Sequence, residues 1–151
     1  MEMGATIFFT ILSGVITYVF GQLVLRLVIE PVQELRRTIG NVSHTLIERA
    51  NVIQNPGVPR IEVIDQTALE LRNLSSKLHS HLFLVPLYNK TAKVFRLPTH
   101  HNILEAASNL IGLSNGIHEA RDKIYEVNAK HVEKICDCLG IYFAEEQRWP
   151  K

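Results

Sequence analysis

Between Glu2 and Arg26 the chain carries no Asp, Glu, Lys, Arg or His. The run Gly4 to Leu25 (GATIFFTILSGVITYVFGQLVL) holds only apolar, small and uncharged residues. As a helix rising ~1.5 Å per residue it extends roughly 33 Å, matching the ~30 Å hydrocarbon core of a bilayer. A cleaved secretory signal needs a basic n-region, a shorter apolar core and a small-residue cleavage site. This N-terminus is acidic, and no A-x-A-like pattern follows the run. A retained single span is the expectation, with a buried hairpin element as the alternative. Arg26, Arg36, Arg37 and Arg49 all follow the run, so the positive-inside rule puts the N-terminus outside and the C-terminal part in the cytoplasm. Arg26 sits where its side chain snorkels to the headgroups, and Arg36 and Arg37 are the juxtamembrane basic pair.

The expected organisation is a tail and transmembrane helix over 1–29, a helical bundle over 30–140 and a tail over 141–151. The fold class is all-α, a bundle of about four cytoplasmic helices hung from one N-terminal span. With 151 residues and net charge +1, the chain has length for one domain beyond the anchor and no basic footprint for nucleic acid. Cys136 and Cys138 provide no disulfide framework.

From Pro31 the apolar rhythm is helical: Val32, Leu35, Ile39, Val42, Leu46 and Ile53, widened by Ile47 and Ala50, with Arg49 on the step after Leu46. Pro31 either opens a new helix or kinks one arriving from the membrane. Asn55-Pro56-Gly57-Val58-Pro59 stops it. A second helix spans about Arg60 to Leu82 on Ile61, Ile64, Ala68, Leu71, Leu74, Ser75, Leu78 and Leu82, antiparallel to the first.

The segment 83–102 is an irregular crossover. Pro86 and Pro98 bracket a short helix with Leu87, Val94 and Phe95 on one side and Lys90, Lys93 and Arg96 toward the other. Packing of the apolar side on the bundle is the expectation; an amphipathic element on the inner leaflet is the alternative. Asn102 is read as the N-cap of a helix from Ile103, with Glu105 completing a capping box. Its stripe is Ile103, Ala107, Leu110, Ser114 and Ile117, weakened by Gly112, Asn115 and Gly116. A last helix shows Ile124, Val127, His131, Ile135 and Leu139, with Gly140 as its C′ residue.

Chemistry-bearing patterns are sparse. Seven histidines are present, among them His79, His81, His100 and His101 around the crossover, but none lies in a Glu-x-x-His or His-x-x-x-His pair. His79 and His81, two residues apart, diverge on a helix. Cys136-Asp137-Cys138 reads as a pair of core-type thiols. No catalytic, cofactor or metal motif appears, so no enzyme, cofactor or small-molecule substrate is expected. The most suggestive pattern is the stripe Thr6, Thr10, Ser13, Thr17 and Gly21, a small-xxx-small face suited to close helix–helix contact. The plainer alternative is that its hydroxyls bond their own preceding carbonyls.

The stretches Leu25 to Pro56 (LRLVIEPVQELRRTIGNVSHTLIERANVIQNP) and Asn102 to Asn115 (NILEAASNLIGLSN) resemble segments of a group of small bacterial proteins with one N-terminal transmembrane helix. The resemblance implies a bacterial inner-membrane protein and assigns no chemical role to any residue.

The functional expectation is a membrane-anchored scaffold. It contacts the lipid bilayer and binds a protein partner or a second copy of itself. An oligomerising membrane-perturbing effector is the alternative, and a histidine-based metal or haem sensor a third.

Overall fold

The computed structural model describes residues 2–119 and 123–142, which are all-helical with no strand among them. The first helix, α1 (Glu2–Val24), is long and apolar enough to cross a membrane, and none of its apolar window is buried against the other described residues. It passes through one π-helical stretch, Leu25–Ile29, directly into α2 (Glu30–Glu48). The π-turn has a local cause. Pro31 has no amide hydrogen, and its ring clashes with the carbonyl four residues back in a regular α-helix. Widening the preceding turn moves that carbonyl, and the Glu30 amide donates to the Leu25 carbonyl instead. Pro31 therefore neither starts a separate helix nor breaks the incoming one.

After α2 come α3 (Ala50–Gln54), α4 (Ile61–Leu84), α5 (Tyr88–Phe95), α6 (His100–Gly116) and α7 (Ile124–Leu139). Side-chain bonds fix their directions. Thr38 of α2 meets His81 of α4 at 2.8 Å, while Thr45 and Arg49 both reach Glu70 at 3.1 Å, so the pair is antiparallel. The buried Ser75 hydroxyl of α4 donates to the Ala107 carbonyl of α6 at 2.8 Å, and Arg72 reaches Asn115. His131 of α7 meets Asn109 of α6 at 2.8 Å, and Lys134 meets Glu105 at 3.2 Å. One core runs between them, with Leu35, Leu46, Ile53, Leu71, Leu78, Ile103, Leu110 and Ile135 wholly buried. The antiparallel order brings the start of α2, the end of α4, α5, the start of α6 and the end of α7 to the same end of the bundle, the end from which α1 leaves.

Several faces differ from the periodicity. Ile47 and Ile61 are exposed, whereas Thr38 and Thr45 are buried between α2 and α4. A threonine is tolerated there because its hydroxyl finds a partner, Glu34 O and His81 for Thr38, Glu70 for Thr45. The helix breaks at Arg49, whose guanidinium is drawn to Glu70, and α3 leans toward α7. The third long helix starts at His100, three residues before the expected Ile103. Thr99 is the N-cap and accepts from the Asn102 amide, so Asn102 is not the cap and no capping box forms with Glu105.

The last helix is turned relative to its predicted stripe. Val127 is 46% exposed, while Asn128, Val132 and Cys138 are buried beside Ile135 and Leu139. The cause lies in α6, where Gly112 and Gly116 read as weak points but act as clearances. A Cβ at Gly112 would lie 2.6 Å from the His131 ring, and one at Gly116 would collide with the Asn128 amide. These two glycines let α7 press His131 and Asn128 into the α6 surface, and α6 runs unbroken to Gly116. Gly140 does close α7, at φ 67° with the Ile141 amide donating to Cys136 O at 2.9 Å. Of the predicted tail, residues 143–151 lie outside the described residues.

The same substitution should thus have opposite signs at two helical glycines. Gly40 in α2 has open space around its missing Cβ, so Gly40→Ala should stabilise by about 0.5–1 kcal/mol through helix propensity. Gly116→Ala should destabilise by about 1–3 kcal/mol through overpacking against Asn128. Thermal unfolding of the full-length variants in mild detergent, followed by circular dichroism, checks the pair.

Candidate functional site

Two surfaces stand out from the residues upward: the stripe on α1, and the end of the bundle that α1 enters. Along α1 three hydroxyls of the stripe are satisfied one turn back. Thr10 donates to Thr6 O, Ser13 to Thr10 O and Thr17 to Ser13 O, each at 2.9 Å. This is the plainer of the two readings of the stripe, and it leaves the face small and smooth with its hydroxyl donors already used. Thr6, Thr10, Ser13, Thr17 and Gly21 are all exposed, and a Cβ added at Gly21 would meet nothing.

Of the basic residues, Arg26 lies exposed in the π-turn. Arg37 pairs with Glu34 one turn back at 2.9 Å. Arg36 instead donates across the bundle to the Phe95 carbonyl at the end of α5. That bond ties the crossover to α2 close to the start of the bundle, a link that the spacing of charges along the sequence does not reveal.

The crossover is held on every side. Val85 is extended ahead of Pro86, as a residue before proline prefers. Thr91 donates to Pro86 O at 2.7 Å, and the buried Tyr88 hydroxyl donates to Pro98 O at 2.7 Å. Burial pushes the pKa of the Tyr88 phenol up to about 12. A chain of rings joins the three elements here: His79 to Phe83 at 5.0 Å, Phe83 to His100 at 6.3 Å and His100 to Tyr88 at 5.9 Å. Leu87 and Arg96, which flank α5, both take left-handed backbone (φ 48° and 52°), a conformation that costs a non-glycine residue about 1–2 kcal/mol.

The consequence is a correction to the expected face of α5. Leu87 and Val94, predicted to pack on the bundle with Phe95, are 75% and 76% exposed. Tyr88 and Ala92 fill the core side, with Phe95 half-buried beside them. A shallow depression lined by Leu87, Tyr88, Lys90, Thr99, His100 and His101 opens next to this face.

The histidines go to separate partners. His81 bonds Thr38, His79 stacks near Phe83, and His131 bonds Asn109. His44 and His101 lie 3.6 Å from Glu48 and Glu105, carboxylates one turn on in the sequence that motif matching passed over. Among the described residues, no group of three or more His, Cys, Asp or Glu converges closely enough to hold a metal. Burial, with Asp137 and Glu133 nearby, raises the pKa of the Cys136 thiol to about 11. Cys138, 3.5 Å from Glu105, is raised for the same first reason, so both thiols stay protonated and unreactive. No protein-family model, curated protein or solved structure matches the chain, and its function is read from its own geometry.

His131 gives this end of the α6–α7 seam a pH dependence. Asn109 donates through its Nδ2 to Glu105 O at 2.8 Å, so its Oδ1 accepts from a neutral His131 at Nδ1. Burial holds the His131 pKa below the ordinary value of 6.5. The unfolded chain then binds the proton more readily than the fold, and stability falls as pH drops below 6.5 toward the folded value. Thermal midpoints between pH 8 and pH 5.5 should decline less steeply for His131→Gln than for the parent chain. Parallel declines would remove His131 from the account.

Proposed function

We propose that the chain is a non-enzymatic, membrane-anchored interaction protein that presents a small helical bundle at the cytoplasmic face of a bacterial inner membrane. One observation carries the reading. Among the described residues nothing buries the apolar helix, yet it is continuous with a bundle helix whose Val32, Leu35, Val42 and Leu46 are buried in the core. Phe8, Phe9, Ile11, Ile16, Tyr18, Phe20 and Leu23 all stay exposed, and lipid is the solvent that suits them. The helix passes into α2 through the π-turn at Leu25–Ile29 without a break in its helical backbone.

Orientation is part of the proposal. The cations flanking the apolar run lie on its C-terminal side, which favours N-out, C-in insertion. The stripe then supplies the lateral contact. With its hydroxyls bonded internally, Ser13, Thr17 and Gly21 present a flat, low-profile strip against which a second helix packs by van der Waals contact, either a second copy or the span of a protein partner. The sparse chemistry of the bundle fits a binding role better than catalysis.

Replacing Ser13, Thr17 and Gly21 together with leucine should reduce the yield of cross-linked assemblies recovered from membranes, while insertion persists. Unchanged cross-linking would take the stripe out of the proposal. Growth arrest and dye entry on expression, both abolished by the same substitutions, would point instead to a membrane-perturbing assembly.

A further inference from the structure

We infer that the corner formed by the end of α4 and the outward face of α5 is a docking surface for the anionic headgroups of the leaflet into which α1 inserts; this rests on the anchored reading above. Four large apolar side chains are exposed here, Phe83, Leu84, Leu87 and Val94, and among the described residues no element covers them. Lys90 and Val94 stand one turn apart on the exposed side of α5, with Lys93 beside them and Leu87 exposed just ahead of the helix. This mixture is the composition of a helix lying in a membrane interface, with aliphatic groups below the phosphates and lysines among them.

Two further observations single out lipid as the occupant. The first is charge. From Ser75 to Leu104 the chain has no Asp or Glu but carries Lys77, Lys90, Lys93 and Arg96, while the chain as a whole is nearly neutral. Glu30, Glu34, Glu105, Glu133 and Asp137 come to this end on α2, α6 and α7, where Glu34 is paired with Arg37 and Glu105 with Lys134. The corner made by the end of α4 and by α5 itself carries cations and no carboxylate.

The second is height. Arg36, whose guanidinium holds the end of α5, stands seven positions beyond Ile29, the last apolar residue of the π-turn. At ~1.5 Å per residue that is about 10 Å, and side chains on a helix lean back toward its N-terminus, here toward the bilayer. The headgroup layer of one leaflet is itself roughly 5–8 Å deep. The end of α5 is thus tied near the point where the apolar helix ends, within reach of the headgroups for the exposed lysines beside it. The strained Leu87 and Arg96 backbones and the Arg36 bond hold it there as a rigid foot.

The full-length protein, reconstituted in vesicles containing brominated lipid, tests this by tryptophan quenching. Trp149 is replaced by Phe, and single tryptophans are placed at Leu12 in α1, at Leu87 or Val94 in α5, and at the exposed Val58 at the far end of the bundle. In vesicles mixing phosphatidylglycerol with phosphatidylcholine, positions 12, 87 and 94 should be quenched and 58 should not. K90E/K93E should shift the docked fraction at 87 on the order of tenfold toward the undocked form, and pure phosphatidylcholine should weaken docking similarly. Quenching at 12 without quenching at 87 and 94 overturns this inference and leaves the anchor standing; no quenching at 12 overturns the anchored reading itself. Equal quenching at 87 in both lipids, or insensitivity to K90E/K93E, overturns the recognition of anionic headgroups. Cross-linking of residues 87 and 94 to a protein in native membranes, with lipid quenching absent, assigns the corner to that partner instead. Both tryptophan sites in α5 are surface positions, and unchanged helical circular dichroism confirms the fold of each variant.

Discussion

The backbone passes Pro31 without losing its helix, and the rest of the molecule's geometry follows from that. A proline in a helix interior normally forfeits a hydrogen bond and forces a kink. Here the π-turn at Leu25–Ile29 takes up the ring, and the apolar helix and the first bundle helix become one element from Glu2 to Glu48. A flexible joint at this point would leave the bundle's orientation undefined. A continuous helix instead fixes which end of the bundle adjoins the apolar segment, and the antiparallel order of α2, α4, α6 and α7 then decides what that end contains.

Inside the bundle, specificity is concentrated at a few polar and close-packed points set within an aliphatic core. Leucine and isoleucine supply the burial, at roughly 25 cal/mol per Å² of apolar surface removed from water. They would tolerate neighbouring registers. The buried hydroxyls of Thr38, Thr45 and Ser75 tolerate fewer, because each must meet a named acceptor or donor across a helix pair. Gly112 and Gly116 act similarly through shape, since only one register of α7 sets His131 and Asn128 over the two gaps. Asn128 enters the seam with neither amide atom hydrogen-bonded to protein, so its place there is set by fit to Gly116 rather than by pairing.

Charge placement connects this packing to the proposed role. A near-neutral chain looks unremarkable by composition, yet the carboxylate-free end of α4 and α5 stand together with four exposed apolar side chains, Phe83, Leu84, Leu87 and Val94. In the proposed role this placement sets how the bundle sits against a charged surface, which is where an anchored interaction module would need a fixed orientation.

The sequence by itself determined the long elements. The uncharged run from Gly4 to Leu25, the three-and-four spacing of α2 and α4, the stop at Asn55–Pro59 and the closing Gly140 were all legible, because periodicity summed over many residues and strong breakers outweigh local noise. The local bonding of the α1 hydroxyls was also weighed from spacing alone. Tertiary structure decided the short and the close. An eight-residue helix between two prolines has too few turns to declare its own face, and Tyr88 and Ala92 took the core because the ring chain and the Pro98 carbonyl offered Tyr88 a slot. The helical glycines read as weakness until a neighbouring helix was seen to need their missing Cβ. The Arg36–Phe95 bond spans a separation along the chain that no local pattern encodes; it exists only because α2 and α5 are brought to the same end of the bundle.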